Sequence, residues 1–573
     1  RTLTVINDTI ANIKKNRQEV IDINAIPLAD ELTADMLCAG KTGAVFQMES
    51  SGMTNLVKDL APRNFADLIP TVALYRPGPL GSGMVEDFIG GRHGTKEVTY
   101  MHPLLEPILK ETFGVVLYQE QVMQIVQVLA GFSLGQADLL RRAMGKKKHE
   151  ILLAQKENFL KGCAQNQIDA DLATTIFDLL THFADYGFNK SHSAAYALVA
   201  WQTAYLKAHY PAEFMAAMLT SIMDTQKVPR YIELARRMEL EILPPDINAS
   251  MANFSVDHEA IRFGLAAVRN VGDAAIASIV EARQADGRFK SLLDFCKRID
   301  TSTINKRMLE SLIKCGAFDS LGAKRSQLLA IMDAAMSEAQ REKRDAMNGQ
   351  LGLFGEDIGE TYALKLPDIP EASMPERLNW EKENTGFYIT GHPLDEFRAS
   401  LKNLPTIEFI QHGGVKDKQV VRIGGMVTEA KRITTRKGDT MCFLTIEDYT
   451  ERLEVTVFPR VFYVNTAVLV PDMPLIIQGR VDVDDDAGVK LLADKVWNLK
   501  EYKSEYYLKL STTAASEVKQ ELKELIKKHA GDHTIYLHQG SWRKLPAEYR
   551  LDDSEETMQA LIALLGKESV KKR

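Results

Sequence analysis

The sequence is poor in cysteine, has no long apolar run and carries no excess of positive charge. The five cysteines, Cys38, Cys163, Cys296, Cys315 and Cys442, are odd in number, far apart and form no C-x-x-C pair. This spacing argues against a disulfide framework or a thiolate zinc site and fits a reducing compartment. No run of about 18 apolar residues occurs, so no spanning helix is expected. The N-terminus lacks a charged segment followed by an apolar one, so no secretory signal is read there. Arg1 in place of an initiator Met points to a segment of a longer chain. The net charge is −7, from 70 basic and 77 acidic residues. A chain that coats nucleic acid with a global positive field is therefore excluded. A local basic groove is not, because attraction follows local potential and decays within about 10 Å in salt. No internal repeat of 20–50 residues is found.

What is present is ordinary globular composition, 45% hydrophobic and 26% charged over 573 residues. At ~100–200 residues per domain this predicts roughly three to five domains. Residues 1–250 read as helical. Val122, Ile125, Val126 and Leu129 recur at helical spacing, and Arg76-Pro77-Gly78-Pro79 marks a structured loop. Residues 251–335 read as a second compact helical unit. Residues 336–375 begin with a charged stretch (Ser337–Ala346), pass through Gly- and Pro-marked segments and read as a linker, followed by a connecting segment over 376–418. In 419–497 the period changes. Leu453, Val455 and Val457 alternate with Glu454, Thr456 and Phe458, and four further strands are expected near 420–434, 440–448, 474–484 and 488–495, with a short helix between the third and fourth strands. Five strands in this length predict a small barrel of the OB type. Residues 498–573 read as a small α+β domain.

Several chemical signals prove ordinary. Gly40-Lys41-Thr42 lacks the earlier glycine of a phosphate-wrapping loop, since position 35 is Asp, and reads as a turn. Asp482, Asp484, Asp485 and Asp486 run into Ala487-Gly488 and read as a solvated turn rather than a two-metal site. No Ser/His/Asp arrangement or His cluster stands out.

Four segments admit a functional reading beside a structural one. Arg141-Arg142-Ala143-Met144-Gly145-Lys146-Lys147-Lys148 can grip phosphates through Arg forks and Lys point charges, or can be a solvated helix end. In Tyr186–Tyr196, Lys190, Ser191 and His192 offer donors to an anion, and Tyr186 and Phe188 offer flat faces. The competing reading is a helix start capped by Ser191 or Ser193, with both aromatics in the core. Arg269-Asn270-Val271-Gly272 before the helical stretch from Asp273 reads as a helix–hairpin–helix whose turn aims backbone N–H groups at a DNA phosphate, or as a plain αα-corner. Asn270 stands where a first glycine is usual, and Asn tolerates positive φ. Gln350-Leu351-Gly352-Leu353-Phe354 offers a Gln anchor and a Leu-Phe plug to a partner's pocket, or folds back as linker.

Together with Ala44–Ser50, Arg76–Leu80 and Val116–Met123, these segments resemble, in order, the family C replicative DNA polymerases of bacteria. The resemblance implies a multidomain, α-rich fold. It comprises helical fingers (1–250), a helix–hairpin–helix duplex-binding domain (251–335), a linker with a clamp-binding motif (336–375), an OB barrel (419–497) and a C-terminal α+β domain. It implies that Arg141, Arg142, Lys190, Ser191 and His192 bind the incoming nucleotide. DNA contacts would fall to Lys146, Lys147, Lys148, Arg269, Asn270, Val271 and Gly272, and in the barrel to Lys431, Arg432, Arg436, Lys437 and Phe443. Gln350, Leu353 and Phe354 would bind the sliding clamp, the beta subunit. Primer–template DNA and deoxynucleoside triphosphates are the implied ligands, and the clamp-loader tau subunit is an implied partner of the C-terminal domain. The family's catalytic aspartates align upstream of Arg1, so Mg²⁺ would be held outside this chain, which by itself is expected to be inactive. A cytoplasmic, nucleoid-associated protein is implied. The competing reading is a non-enzymatic DNA-binding and clamp-tethering module without a palm.

Overall fold

The computed structural model describes residues 1–145, 149–184, 187–223, 225, 227–299, 304–347, 364–402, 404–411, 414–435, 437–484, 488–502, 505–511, 516–546, 548–552 and 554–572. The chain divides into two compact units, Arg1–His392 and Pro393–Arg573.

The first unit is built from helices around three cores. One core gathers Val122, Ile125, Val126 and Leu129 of helix Gln119–Ala130 with Leu140, Phe159, Phe177 and Leu180. The apolar spacing read from the sequence is therefore the buried stripe of that helix. Its start is fixed by the Gln121 side chain, whose Oε1 accepts from the backbone N–H of Leu117 and Tyr118, both at 2.9 Å. Such a cap satisfies donors that the first turn leaves orphaned. The neighbouring helix His149–Gln165 crosses the end of this one at Gly162, where a Cβ would stand 2.1 Å from the Ala130 carbonyl oxygen. Only glycine permits that backbone approach.

A second core surrounds the fully buried Trp201 of helix Lys190–His209 and the segment Val45 to Val57. The third joins Val5 and Ile13 of helix Thr2–Arg17, Phe214 of helix Pro211–Ser221, and Phe254, Phe295, Leu309, Phe318 and Ile389. A single hydrophobic core thus runs across residue 250. Within it lies a small sheet of β1 (Ile242–Leu243), β2 (Ser255–Asp257) and β3 (Ala260–Arg262), in the order β1-β3-β2. The helical reading of 251–335 missed β2 and β3, which are too short to show a period of two. A further correction concerns Ser337–Ala346, read as the charged start of a linker. These residues continue helix Arg325–Met347, whose Leu328, Met332, Ala335 and Ala339 are buried at helical spacing.

The second unit contains a closed barrel of β4 (Val420–Thr434), β5 (Thr440–Glu447), β6 (Arg452–Val457), β7 (Pro474–Asp484) and β8 (Gly488–Asn498), in the order β4-β5-β6-β8-β7. Helix Pro459–Asn465 joins β6 to β7. Leu453, Val455 and Val457 point inward with Leu444, Ile477 and Leu491. The five expected strands and the helix are all present. Beyond them, β9 (Glu505–Lys509), β10 (Ala530–His538), β11 (Trp542–Lys544), β12 (Arg550–Leu551) and β13 (Val570–Lys572) form a second sheet in the order β11-β10-β9-β13, with β12 beside β10. Tyr506, Leu508 and Ile535 pack one face against Leu522 and Ile526 of helix Ser516–Lys528 and Leu561 of helix Glu555–Leu565.

Candidate nucleotide and nucleic-acid interfaces

Helix Lys190–His209 organises the first candidate site. Its cap is Asn189, whose side-chain oxygen accepts from the His192 N–H at 2.8 Å, not Ser191 or Ser193. The Glu120 carboxylate accepts from the Lys190 N–H and from Asn189 Nδ2, which ties this helix start to helix Gln119–Ala130. Phe188 pairs with Tyr118 in an isolated parallel bridge. Phe188 is half-buried rather than sunk in the core, and Tyr186 lies outside the described residues.

Beside this start opens a cleft of about 530 Å³ lined by Gln47, Glu49, Ser50, Met53, Val72, Tyr75, Arg76, Phe188, His192 and Tyr196. Its aromatic wall is continuous. His192 stacks on Tyr196 with centroids 4.3 Å apart, and Phe188 meets His192 edge-on at 5.3 Å. The Arg76 guanidinium lies 4.0 Å above the Phe188 ring, a cation–π contact that holds a cation at the wall. Tyr75 reaches the cleft across Gly52, where a Cβ would come within 2.1 Å of its hydroxyl.

The cleft is also lined by a loop held under backbone constraint. Ala44 and Gln47 both have positive φ, 65° and 63°. Lys207, which is 3% exposed, donates from Nζ to the carbonyls of Lys41 and Gly43 at 2.6 and 2.7 Å. Thr203 Oγ1 accepts from the Phe46 N–H at 3.1 Å. Glu49 accepts from the Tyr231 hydroxyl, which burial and that carboxylate push well above the usual phenol range. The helix that carries His192 and Tyr196 therefore also pins the loop that carries Gln47 and Glu49.

Burial pushes the Lys207 ammonium down to about 8. Its folded pKa thus lies below its unfolded one, and the folded state binds fewer protons between about pH 8 and 10.5. Stability rises with pH wherever the unfolded chain binds more protons. The Lys207 contribution should therefore improve through that window. Amide exchange at Val45 and Phe46, compared between wild type and Lys207→Met from pH 7.5 to 10, should show protection in wild type gaining relative to the variant. A constant difference would contradict the shift.

Of the residues expected to bind nucleotide, only His192 lines the cleft. Lys190 pairs with Glu111 at 2.6 Å. Arg141 donates to Asp138 and, from Nη1, to Gln119 Oε1 at 3.1 Å. Gln119 in turn donates to the Gly187 carbonyl at 2.9 Å, so Arg141 is wired to the Phe188 segment. Arg142 pairs with Asp138 and is largely exposed. The hydrogen bond from Arg141, with the charges of both arginines, holds the Asp138 carboxyl below its usual range. Ser191 is exposed. Lys146, Lys147 and Lys148 lie outside the described residues, as do Arg436 and the segment with Gln350, Leu353 and Phe354. Gln47 and Arg76 were missed as site residues, although the Arg76-Pro77-Gly78-Pro79 punctuation marked the place.

The hairpin turn is formed as expected. Asn270 has φ +65° and donates from Nδ2 to Ser311 Oγ at 2.9 Å. Gly272 is the N-cap of helix Asp273–Asp286 and contributes no side-chain cap. Arg269, Asn270 and Gly272 are exposed, whereas Val271 is buried. The Val271 side chain anchors the turn, so the contact expected of this residue is one of its backbone.

On the barrel, Lys431 of β4 faces Phe443 of β5, which faces Thr456 of β6. Cys442 and Leu444 point inward, so Phe443 points outward beside the exposed Lys431. Arg432 alternates to the other side of β4, with its guanidinium 5.7 Å over the Phe462 ring. Lys437 is exposed in the turn after β4. Lys431 and Phe443 thus form the combination of charge and flat face that single strands use.

Three family models match the chain in order. They are the bacterial DNA polymerase III alpha subunit finger domain over residues 2–167, a helix-hairpin-helix motif over 239–328, and an OB-fold nucleic acid binding domain over 421–499. DNA polymerase III subunit alpha of Pseudomonas aeruginosa is 41% identical over 611 residues, covering all of this chain and 52% of the relative. The Escherichia coli and Vibrio cholerae subunits of the same name are each 40% identical, again covering the whole chain and 51% of each relative. The chain spans about half the length of the curated relatives it matches. With identity running through all three domains and the fold bearing them in the same order, the chain belongs to the bacterial DNA polymerase III alpha subunit family.

Proposed function

We propose that this chain supplies the nucleotide- and DNA-gripping part of a replicative DNA polymerase, in which the whole protein extends a primer 3′-end by template-directed phosphoryl transfer. The cleft carries this reading. It sets a fixed cation, Arg76, and a polar loop against a wall of three rings, Phe188, His192 and Tyr196. A nucleoside triphosphate needs that pairing, because its phosphates demand cations and its base or sugar packs on flat apolar faces. Lys190 follows Phe188 by two residues and Arg141 reaches the same segment through Gln119, each cation being paired with a carboxylate, Glu111 or Asp138.

Two Mg²⁺ ions would supply charge neutralisation and nucleophile activation in such a reaction. Among the described residues no group of three or more His, Cys, Asp or Glu side chains converges to hold a metal. The described residues do not fit that role, and no metal step is assigned to them. The hairpin turn at Asn270–Gly272 would hold the duplex backbone, and Lys431 with Phe443 the single-stranded template. Gln350, Leu353 and Phe354 would tether the protein to a sliding clamp, and the C-terminal domain is a candidate for the clamp-loader tau subunit.

Arg141→Ala and Arg142→Ala, introduced into the full-length polymerase, test the nucleotide role. Each lost charge-assisted contact costs about 1.5–3 kcal/mol, so the KM for nucleotide should rise tenfold or more. Unchanged KM and kcat in both variants would overturn it. Clamp binding that survives replacement of Gln350, Leu353 and Phe354 by Ala would remove the tether. Duplex binding should weaken steeply with salt as counterions are released; a flat response would refute the backbone grip.

A further inference from the structure

The C-terminal sheet has a second face. Its first face is filled by Tyr506, Leu508 and Ile535 under the two helices. Strand alternation sends Tyr507 and Tyr536 to the other side. There the two rings stack with centroids 4.9 Å apart and planes 7° from parallel. Trp542 meets Tyr507 edge-on at 5.4 Å and His538 at 5.0 Å, and is 46% exposed. Four aromatic rings thus stand together on the side of the sheet away from its helices.

Lysines frame this cluster. Lys571 of β13 lies opposite Tyr507, and Lys544 of β11 lies opposite Tyr536. Lys509 follows two residues after Tyr507 on the same side of β9 and is paired in register with His538. All three lysines are exposed. The acid on this face of β9 is Glu505, whose carboxylate accepts from the Tyr507 hydroxyl at 2.7 Å. The rings are therefore flanked on both outer strands by cations, with the nearby carboxylate already engaged by a ring hydroxyl.

We propose that this open face is a stacking platform for single-stranded DNA, separate from the barrel. Flat rings accept any base, because every base has a π-face, and flanking lysines follow the backbone. Lys571 and Lys544 lie on β13 and β11, the two ends of the strand order, with the ring-bearing β9 and β10 between them. A strand crossing the sheet would therefore place phosphates at both margins and bases over the centre. Charge complementarity selects a polyanion with flat groups over an apolar peptide. The choice of DNA over RNA rests on the family; the platform itself does not.

The test uses the whole 573-residue chain carrying Lys431→Ala and Phe443→Ala, so that the barrel face is weakened first. Fluorescence anisotropy with labelled dT12 then compares this parent with a further Tyr507→Leu/Trp542→Leu variant. About tenfold weaker binding is expected from the loss of stacking. A second variant, Lys509→Gln/Lys544→Gln/Lys571→Gln, leaves the rings intact. It should lower the slope of log affinity against log salt by about 2, from roughly 0.7 per phosphate contact. Far-ultraviolet dichroism and melting confirm that each variant is folded. Unchanged dT12 affinity and slope in both folded variants would overturn the proposal. So would equal binding of a 12-residue polyglutamate, which would make the face an acidic-protein site. Tighter binding of rU12 than of dT12 would overturn the choice of DNA. Because the nucleotide cleft is untouched, these outcomes are independent of the polymerase reading.

Discussion

Replacing Glu381 by Ala should destabilise the Arg1–His392 unit by about 3–5 kcal/mol, the usual cost of leaving a buried ion without its partner. Glu381 is fully buried and Arg325 is 2% exposed. Arg325 Nη1 donates to Glu381 Oε1 at 3.0 Å and to the Lys314 carbonyl at the same distance. Its remaining donors reach Asp319, with Nη2 at 2.7 Å from Oδ2. Glu381 also accepts from the N–H groups of Ile389 and Thr390 and from the Thr390 hydroxyl. One carboxylate therefore binds helix Met374–Thr385 both to the start of helix Arg325–Met347 and to the segment after it. A chain of this size does not unfold in one step, so a global midpoint is a poor readout. Amide exchange at Ile389 and Thr390 is the local one, and it should accelerate at least a hundredfold. An Arg325→Met/Glu381→Leu double variant should recover part of the loss, because it removes both buried charges. Exchange rates unchanged in Glu381→Ala would show that the network carries no such load.

Arg76→Ala in the full-length polymerase should raise the KM for nucleotide by about tenfold to a hundredfold, following the value of one charge-assisted contact. Arg76 lines the cleft and lies on the Phe188 ring. Its removal takes away the cleft's fixed cation without touching the core. Gly52→Ala provides a second, uncharged test. The new methyl would overlap the Tyr75 hydroxyl and drive that ring from its place in the cleft wall. The same direction of change is expected, with a smaller size. If Arg76→Ala leaves KM and kcat as they were, the cleft does not hold the triphosphate.

The barrel was legible because half-buried strands carry a period of two, and Leu453, Val455 and Val457 show it openly. The hairpin was legible because Asn270 is of a residue type that adopts positive φ more readily than most. The strands β1 to β3 were not, since two or three residues hold no period. Helix Arg325–Met347 was obscured past Ser337 because its exposed side is strongly charged, while Ala339 still supplies a small buried contact. The candidate site was half legible. His192 stood in a recognisable segment, but its partners Gln47 and Arg76 lie more than a hundred residues away in the sequence.

By itself the sequence determined the longer periodic elements, their order and the family, because periodicity, turn residues and ordered motifs are written in neighbouring positions. Tertiary structure alone decided which side chains meet. It put Arg76 on Phe188, Lys207 under the Gln47 loop, Glu381 on Arg325, and Tyr507 beside Tyr536. Each of those contacts depends on how separate helices or strands pack, and that packing follows from burying three distinct cores in the first unit and two sheets in the second. Pattern along the chain fixes which face of an element is buried; only the packed structure fixes what that face and its opposite side find there.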